Sequence, residues 1–266
     1  VIKKYNLREG VEPQTYGLGI KELWDVEPVN HKSGQVIHTQ GWPLKETAGG
    51  GFIYHQENNQ IAIGFVTALD YENPYISPFE EFQRFKTHPS IKAILKGGRR
   101  VSYGARAINE GGFQSVPKST FPGGAIIGCS AGFLNVPRIK GTHNAMKTGM
   151  MAADAAFDAI VGAEDVFEEL NAYAEAYKSS WVYKDLQRVR NVRPALSKFG
   201  IKLGTIYSGF DMWLNNLGMG FLFPWTFKHR EDHKAMLDAK NFDPINYPKP
   251  DNEFSFDKLT SVFLSN

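Results

Sequence analysis

Hydrophobic and polar positions alternate along residues 15–70. The runs YGLGIKELW (16–24), GQVIHTQGW (34–42), GGFIYH (50–55) and QIAIGFVTAL (60–69) are separated by PVNHKSG, KETA and QENN. Alternate residues of a strand line one face, and Gly, Asn, Ser and Pro clusters mark turns. The pattern therefore predicts an antiparallel meander with one covered face. The period changes after residue 70. Ser77 precedes Pro78, and Glu80 and Glu81 follow, which predicts an N-cap, a first-turn proline and acids matched to the helix dipole. Pro89 ends this helix or starts another. RRVSYGARAI (99–108) and GGAIIG (123–128) predict strands. A long helix is predicted from about His143 to Ile160, with the small residues Ala145, Gly149, Ala153 and Ala156 sharing a face with Ile160. A second is predicted over 164–180 from Phe167, Leu170, Tyr173 and Tyr177.

The most apolar stretch, YSGFDMWLNNLGMGFLFPWTFKHR (207–230), carries Phe210, Trp213, Leu217, Phe221, Phe223 and Trp225 and is interrupted by Asp211, Asn215 and Asn216. It falls short of the roughly 20 apolar residues that cross a bilayer. A buried core helix is one reading. The other is a segment lying in a membrane interface, with tryptophans at headgroup level and Lys228, His229 and Arg230 toward phosphates. The polar interruptions leave no clean dry face and favour the interface. From Asn241 the proline-punctuated tail predicts an extended surface strap.

Composition narrows the classes. Of 266 residues 42% are hydrophobic and 22% charged, with a net charge of +2. This suits a folded chain and gives no case for nucleic acid. A single cysteine excludes an internal disulfide framework and a self-contained four-thiolate cluster. The amino-terminal VIKKYNLREGVEPQTYG shows no signal or transit character. The histidines are scattered; only His229 and His233 stand at i, i+4, which reads as a solvated helix face without a third ligand. GCSAG has the wrong order for a nucleophile elbow. No catalytic residue and no metal ligand is assigned. Arg188, Arg190 and Arg193 read as a solvated basic cluster, or as contacts to acidic lipid or a partner.

The remaining feature is the glycine-punctuated loop of 123–149. Gly128, Gly132 and Gly141 surround a strand end and precede a helix, with Thr142 as its expected N-cap. Glycines admit close backbone approach, and free N–H groups at a helix start favour anionic or electron-rich groups. A tight strand–helix turn that needs glycine for packing alone is the competing reading.

GGAIIGCSAGFLNVPRIKGTHNAMKTG resembles the second flavin-binding segment of the electron-transfer flavoprotein–ubiquinone oxidoreductase family. EPQTYGLGIKELW, GWPL, LDYENPY, EFQRFKTHPSI, GARAINEGGFQSVP, SSWVYKDLQRVRNVRP, PWTFKH and YPKPD extend the resemblance over nearly the whole chain. It implies electron passage from reduced electron-transfer flavoprotein through FAD to ubiquinone. The setting would be a membrane surface, the matrix face of the mitochondrial inner membrane or the bacterial cytoplasmic membrane. By resemblance Gly128 and Cys129 lie at the flavin's pyrophosphate and ribityl chain, and Gly141 and Thr142 beside its ring. Gly49 and Gly50 would reach the quinone headgroup, although a hairpin turn also explains them. The implied fold is α+β and α/β: an antiparallel quinone-domain sheet packed on part of a glutathione-reductase-like FAD domain. The implied organisation is quinone-binding (1–105), the closing part of the FAD domain (106–180), a helical membrane-surface segment (181–240) and a strap toward an iron–sulfur domain (241–266). The family's GxGxxG fingerprint and its [4Fe-4S] cysteines are not in this sequence: either it is a fragment, or the protein is split and partner chains or a larger respiratory assembly supply the rest, or those parts have been lost. A non-catalytic homologue retained as a structural subunit is the alternative.

Overall fold

The computed structural model describes residues 1–162 and 169–265. They form an α+β chain of two compact units, residues 17–108 with 232–266 and residues 1–16 with 109–231.

In the first unit the alternating runs form strands β1 (Tyr16–Asp25), β2 (Val36–His38), β3 (Gly49–His55) and β4 (Gln60–Ala68), joined by β5 (Arg99–Asn109). The sheet order is β2-β3-β4-β1-β5. Antiparallel register places Leu23 opposite Ala62 and Ile53 opposite Ile63. The inward positions Ile20, Trp24, Ile53, Ile61, Ile63 and Phe65 pack with Phe79, Phe82 and Phe85. Those phenylalanines belong to α1 (Pro78–Lys86), which begins as expected: Ser77 Oγ accepts the Glu80 N–H. Pro89 starts a second helix, α2 (Pro89–Leu95), capped by His88.

Glu22 occupies an inward position between Ile20 and Trp24. Its carboxylate accepts from Trp24 Nε1 (2.8 Å), Lys86 Nζ (2.8 and 2.9 Å) and Arg100 Nη1 (3.1 Å), all buried. Arg100 also donates to Ser261 Oγ at 2.8 Å.

The tail departs from the expected surface strap. Residues 243–251 form neither helix nor strand and are largely exposed, but Phe254 is buried and Phe256 lies against Trp24. The Tyr103 N–H donates to the Leu264 carbonyl, beyond a short helix at Lys258–Val262. Two alternate phenylalanines outweigh the polar residues around them, because burying each is worth about 1.5–3 kcal/mol. Just before them Asp251 closes a tight turn. Partial burial pushes its carboxyl up, but N–H donors of Ser255, Phe254 and Glu253 pull it to about 2. A depressed carboxyl stabilises above its unfolded pKa of about 3.9 and loses that contribution as pH falls through the folded value. Amide exchange at Glu253–Ser255, normalised for intrinsic rates, is expected to accelerate between about pH 4 and 2. Unchanged protection would show that this carboxylate does not hold the turn.

The second unit is mostly helical. GGAIIG contributes only Gly124–Ala125 (β7), paired with Thr120–Phe121 (β6), rather than the expected strand. An apolar run becomes a strand only where a neighbour takes its backbone bonds; Ile127 and Gly128 lead instead into the short helix α3 (Gly128–Ala131). α4 (Thr142–Val161) matches the predicted long helix, but its buried stripe is Asn144, Thr148, Met151, Ala155 and Ala159. Ala145, Gly149 and Ala156 are half-buried, while Ala153 and Ile160 are exposed. α5 (Asn171–Ser179) begins later than expected, with Leu170 before it and Tyr173 and Tyr177 buried. The expected start at 164, with Phe167, lies outside the described residues. α6 (Trp181–Arg188) completes a core of Ala131, Phe133, Met151, Tyr173, Tyr177 and Leu186. α7 (Val192–Asn216) bends at Gly200, whose φ of 72° breaks the helix into two halves.

Candidate functional site

Three features carry the candidate chemistry. The first is the glycine loop. Gly128 has φ +58° and a Cβ there would press on Ala145 Cβ at 3.1 Å, so conformation and the closeness of α4 both favour glycine. Its N–H donates to Thr148 Oγ1 (3.1 Å), and its carbonyl accepts the Phe133 N–H (3.2 Å). Cys129 is exposed; its carbonyl accepts from Asn109 Nδ2 at 2.8 Å. The start of α4 differs from expectation. Gly141 is the N-cap position, Thr142 is the first helical residue, and no side chain caps the helix. Thr142 is exposed. The Gly128 turn lies against the start of the twenty-residue α4 through Ala145, and α4 has no acidic residue in its first turn. Such a place favours an electron-rich or anionic group.

The second feature is Gly49–Gly51, in the other unit. These residues stand inside β3, paired with Thr67, Val66 and Phe65, and not in a hairpin turn. A Cβ at Gly50 would fall on the Thr39 carbonyl, and one at Gly51 on the Phe85 ring. The Thr39 N–H donates to the Gly51 carbonyl and the Gly41 N–H to the Gly49 carbonyl. Glycine here lets the 39–44 loop lie directly on the strand. A side chain at Gly50 would displace that loop, so a substitution there tests folding before it tests a ligand.

The third feature is the apolar face of α7. Leu203, Ile206, Phe210, Trp213 and Leu217 recur at helical spacing and are exposed, while Gly204, Ser208 and Asp211 are buried. Leu214 apart, the second half of the helix turns apolar side chains out and small or polar ones in, the reverse of a water-facing element. Phe221, Leu222 and Trp225 continue the exposed surface. Phe223 does not belong to it in the same way: it is half-buried among Tyr207, Phe210 and Trp225. The Trp225 indole donates to Tyr207 Oη at 2.8 Å. The loop is pinned by Arg190, whose Nη2 donates to the Phe223 carbonyl, and by Asn191, whose Nδ2 donates to the Trp225 carbonyl. Burial raises the Asp211 carboxyl, against the pull of Arg190 and Asn215.

The basic cluster resolves differently from the expected solvated surface. Arg190 holds that loop, and Arg193 is buried 3.4 Å from Glu110; only Arg188 stays exposed. Lys228 and Arg230 are exposed, whereas His229 is buried, so it does not face outward as expected. His229 and His233 do not share a helix. Among the described residues no group of three or more His, Cys, Asp or Glu side chains is arranged for a metal ion. None of their helices is long and apolar enough to cross a membrane.

Residues 16–108 match the family model described as ETF-QO, ubiquinone-binding. They cover β1 to β5 almost residue for residue. The chain is similar to the electron transfer flavoprotein-ubiquinone oxidoreductases. It is 51% identical to the human mitochondrial protein of that name over 99% of its own length and 43% of the human chain. It is 49% identical to the Pseudomonas aeruginosa protein, over all of its length and 48% of that one. It therefore spans less than half the length of these relatives. A geranylgeranyl bacteriochlorophyll reductase-like protein from Thermoplasma acidophilum shares the fold with a TM-score of 0.54 at 17% identity, over 77% of this chain and 47% of that one.

Proposed function

We propose that the chain forms the quinone-facing and flavin-facing portion of an oxidoreductase that passes electrons from reduced electron transfer flavoprotein through FAD to ubiquinone at a membrane surface. The observation that carries this reading is 51% identity across 99% of the chain to a protein of that name. The glycine loop fits part of a flavin. Gly128 and Cys129 would meet its chain and Gly141 and Thr142 its ring, as the closing part of a glutathione-reductase-like FAD domain. Bound FAD supplies reversible electron uptake. The chain's own contribution is a fixed loop and the uncapped start of α4, which favours an electron-rich ring. Gly49 and Gly50 would place backbone beside the quinone headgroup. Residues 203–225 would rest in the headgroup region of the mitochondrial inner membrane, on its matrix face, or of the bacterial cytoplasmic membrane. Polypeptide equivalent to the rest of the relatives, in the same or another chain, would grip the pyrophosphate and hold the iron–sulfur cluster.

The test is the visible spectrum of the complete native assembly, followed by quinone reduction by reduced electron transfer flavoprotein. Flavin absorbance with turnover supports the reading. An assembly without flavin would overturn it in favour of a structural homologue. The flavin arm makes a narrower prediction. Thr142→Ala should remove one hydrogen bond to the ring, worth about 0.5–1.5 kcal/mol. For one electron this lowers the potential by some tens of millivolts. Spectroelectrochemical titration showing no shift would remove Thr142 from the ring contact and leave the rest standing.

A further inference from the structure

We propose that Thr148, inside α4, is the positioning residue of the Gly128–Cys129 turn and sets how that turn is presented to the flavin. The proposal rests on the flavin reading above, but its geometry comes from this chain alone. Thr148 is fully buried. Its hydroxyl proton goes to the Asn144 carbonyl at 2.8 Å or the Ala145 carbonyl at 3.1 Å, which leaves the oxygen to accept the Gly128 N–H at 3.1 Å. A turn earlier on the same stripe, Asn144 Nδ2 donates to the Phe133 carbonyl at 2.8 Å. The Phe133 N–H returns to the Gly128 carbonyl. Residues 128–133 are thus fastened at both ends to one face of α4. The exposed edge of the turn is Cys129 and Ser130, held between these two anchors.

The hydroxyl matters for a specific reason. Valine has nearly the shape of threonine but cannot accept a hydrogen bond, so it would leave the Gly128 N–H buried and unpaired. The least costly relief is rotation of the Ile127–Gly128 peptide, which turns that N–H away from α4 and moves the Cys129 backbone. A pre-organised turn binds a ligand without first being ordered; a turn with two orientations binds it more weakly.

The experiment uses the complete flavin-binding assembly with Thr148→Val and Thr148→Ser. FAD affinity and dissociation rate are read by flavin fluorescence, loop order by amide exchange at Gly128 and Cys129 without FAD, and fold integrity by the unfolding midpoint of the apo-protein. Thr148→Val should weaken FAD binding at least tenfold, mostly through faster dissociation, and speed exchange at Gly128. Thr148→Ser, which keeps the acceptor, should restore both. FAD affinity unchanged in a folded Thr148→Val protein overturns the positioning role. So does a loss of affinity that Thr148→Ser fails to restore, because the hydroxyl would not be its cause. If the valine variant does not fold, Thr148→Ala is measured the same way, with the same outcomes. Wild-type assembly that binds no FAD sinks the flavin reading itself, a result distinct from wild-type binding with an unaffected variant.

Discussion

Replacing Glu22 with leucine is expected to destabilise the sheet-bearing unit by about 3–5 kcal/mol, the cost of breaking a buried ion pair from one side. Lys86 and Arg100 are both buried against that carboxylate. Without it two cations remain in the interior beside Trp24, Phe82 and Phe256, whose rings offset only part of the lost attraction. The pH dependence carries the signature. Burial pushes the Lys86 ammonium down to about 8, with Glu22 pulling it back up. An unfolded lysine holds its proton to about 10.4. Between these values the unfolded chain binds more protons, so stability rises with pH. Removing Glu22 lowers the folded value further, so the deficit of Glu22→Leu should be largest near pH 7 and shrink toward pH 10. Urea unfolding at both pH values measures it. A loss under about 1 kcal/mol, or one indifferent to pH, would show that water reaches the site and screens the charges.

Serine at Ile206 and Phe221 is expected to weaken binding to liposomes at least tenfold without unfolding the protein. These side chains are 70% and 72% exposed and take no part in the ring cluster around Tyr207 and Phe223. Each should contribute roughly 1–2 kcal/mol on entering an apolar phase, and about 1.4 kcal/mol is a factor of ten. Phe223→Ser is the contrasting change. Its ring packs edge-on to Tyr207, Phe210 and Trp225, so that variant should lose stability as well. Co-sedimentation with vesicles containing anionic lipid gives the first measurement and thermal unfolding the second. If the wild-type protein has no vesicle affinity, the exposed stripe serves another contact and the interfacial role is wrong.

How far the residues alone lead differs between the two units. The meander could be read directly, because the strand period of two coincides with its apolar positions, and α1 because Ser77, Pro78 and Glu80 stand in the order that a helix start requires. The stripe of α4 could not. Alanine and glycine stand all round that helix, and composition without contrast does not say which side is inward; contact with Gly128 and Phe133 decided it for Asn144 and Thr148. The apolar stretch 207–230 announced an unusual surface, but Leu203 and Ile206 joined it only once the bend at Gly200 defined the second half of α7. Arg190 and Arg193 show the limit from the other side. As a basic cluster they read as solvated, yet one holds a loop more than thirty residues away and the other is buried beside Glu110. Of the candidate site, the glycine positions were legible as glycines, but not which backbone groups were already taken. Glu22 is the plainest case. Its place between Ile20 and Trp24 puts a carboxylate on the covered face by period alone, and so demands a partner. Lys86 and Arg100 stand 64 and 78 residues away in the chain. Local order determines which way a side chain points, since strand and helix pitch act over a few residues; what it meets there depends on the pairing of distant segments, which only the folded sheet and its helices bring together.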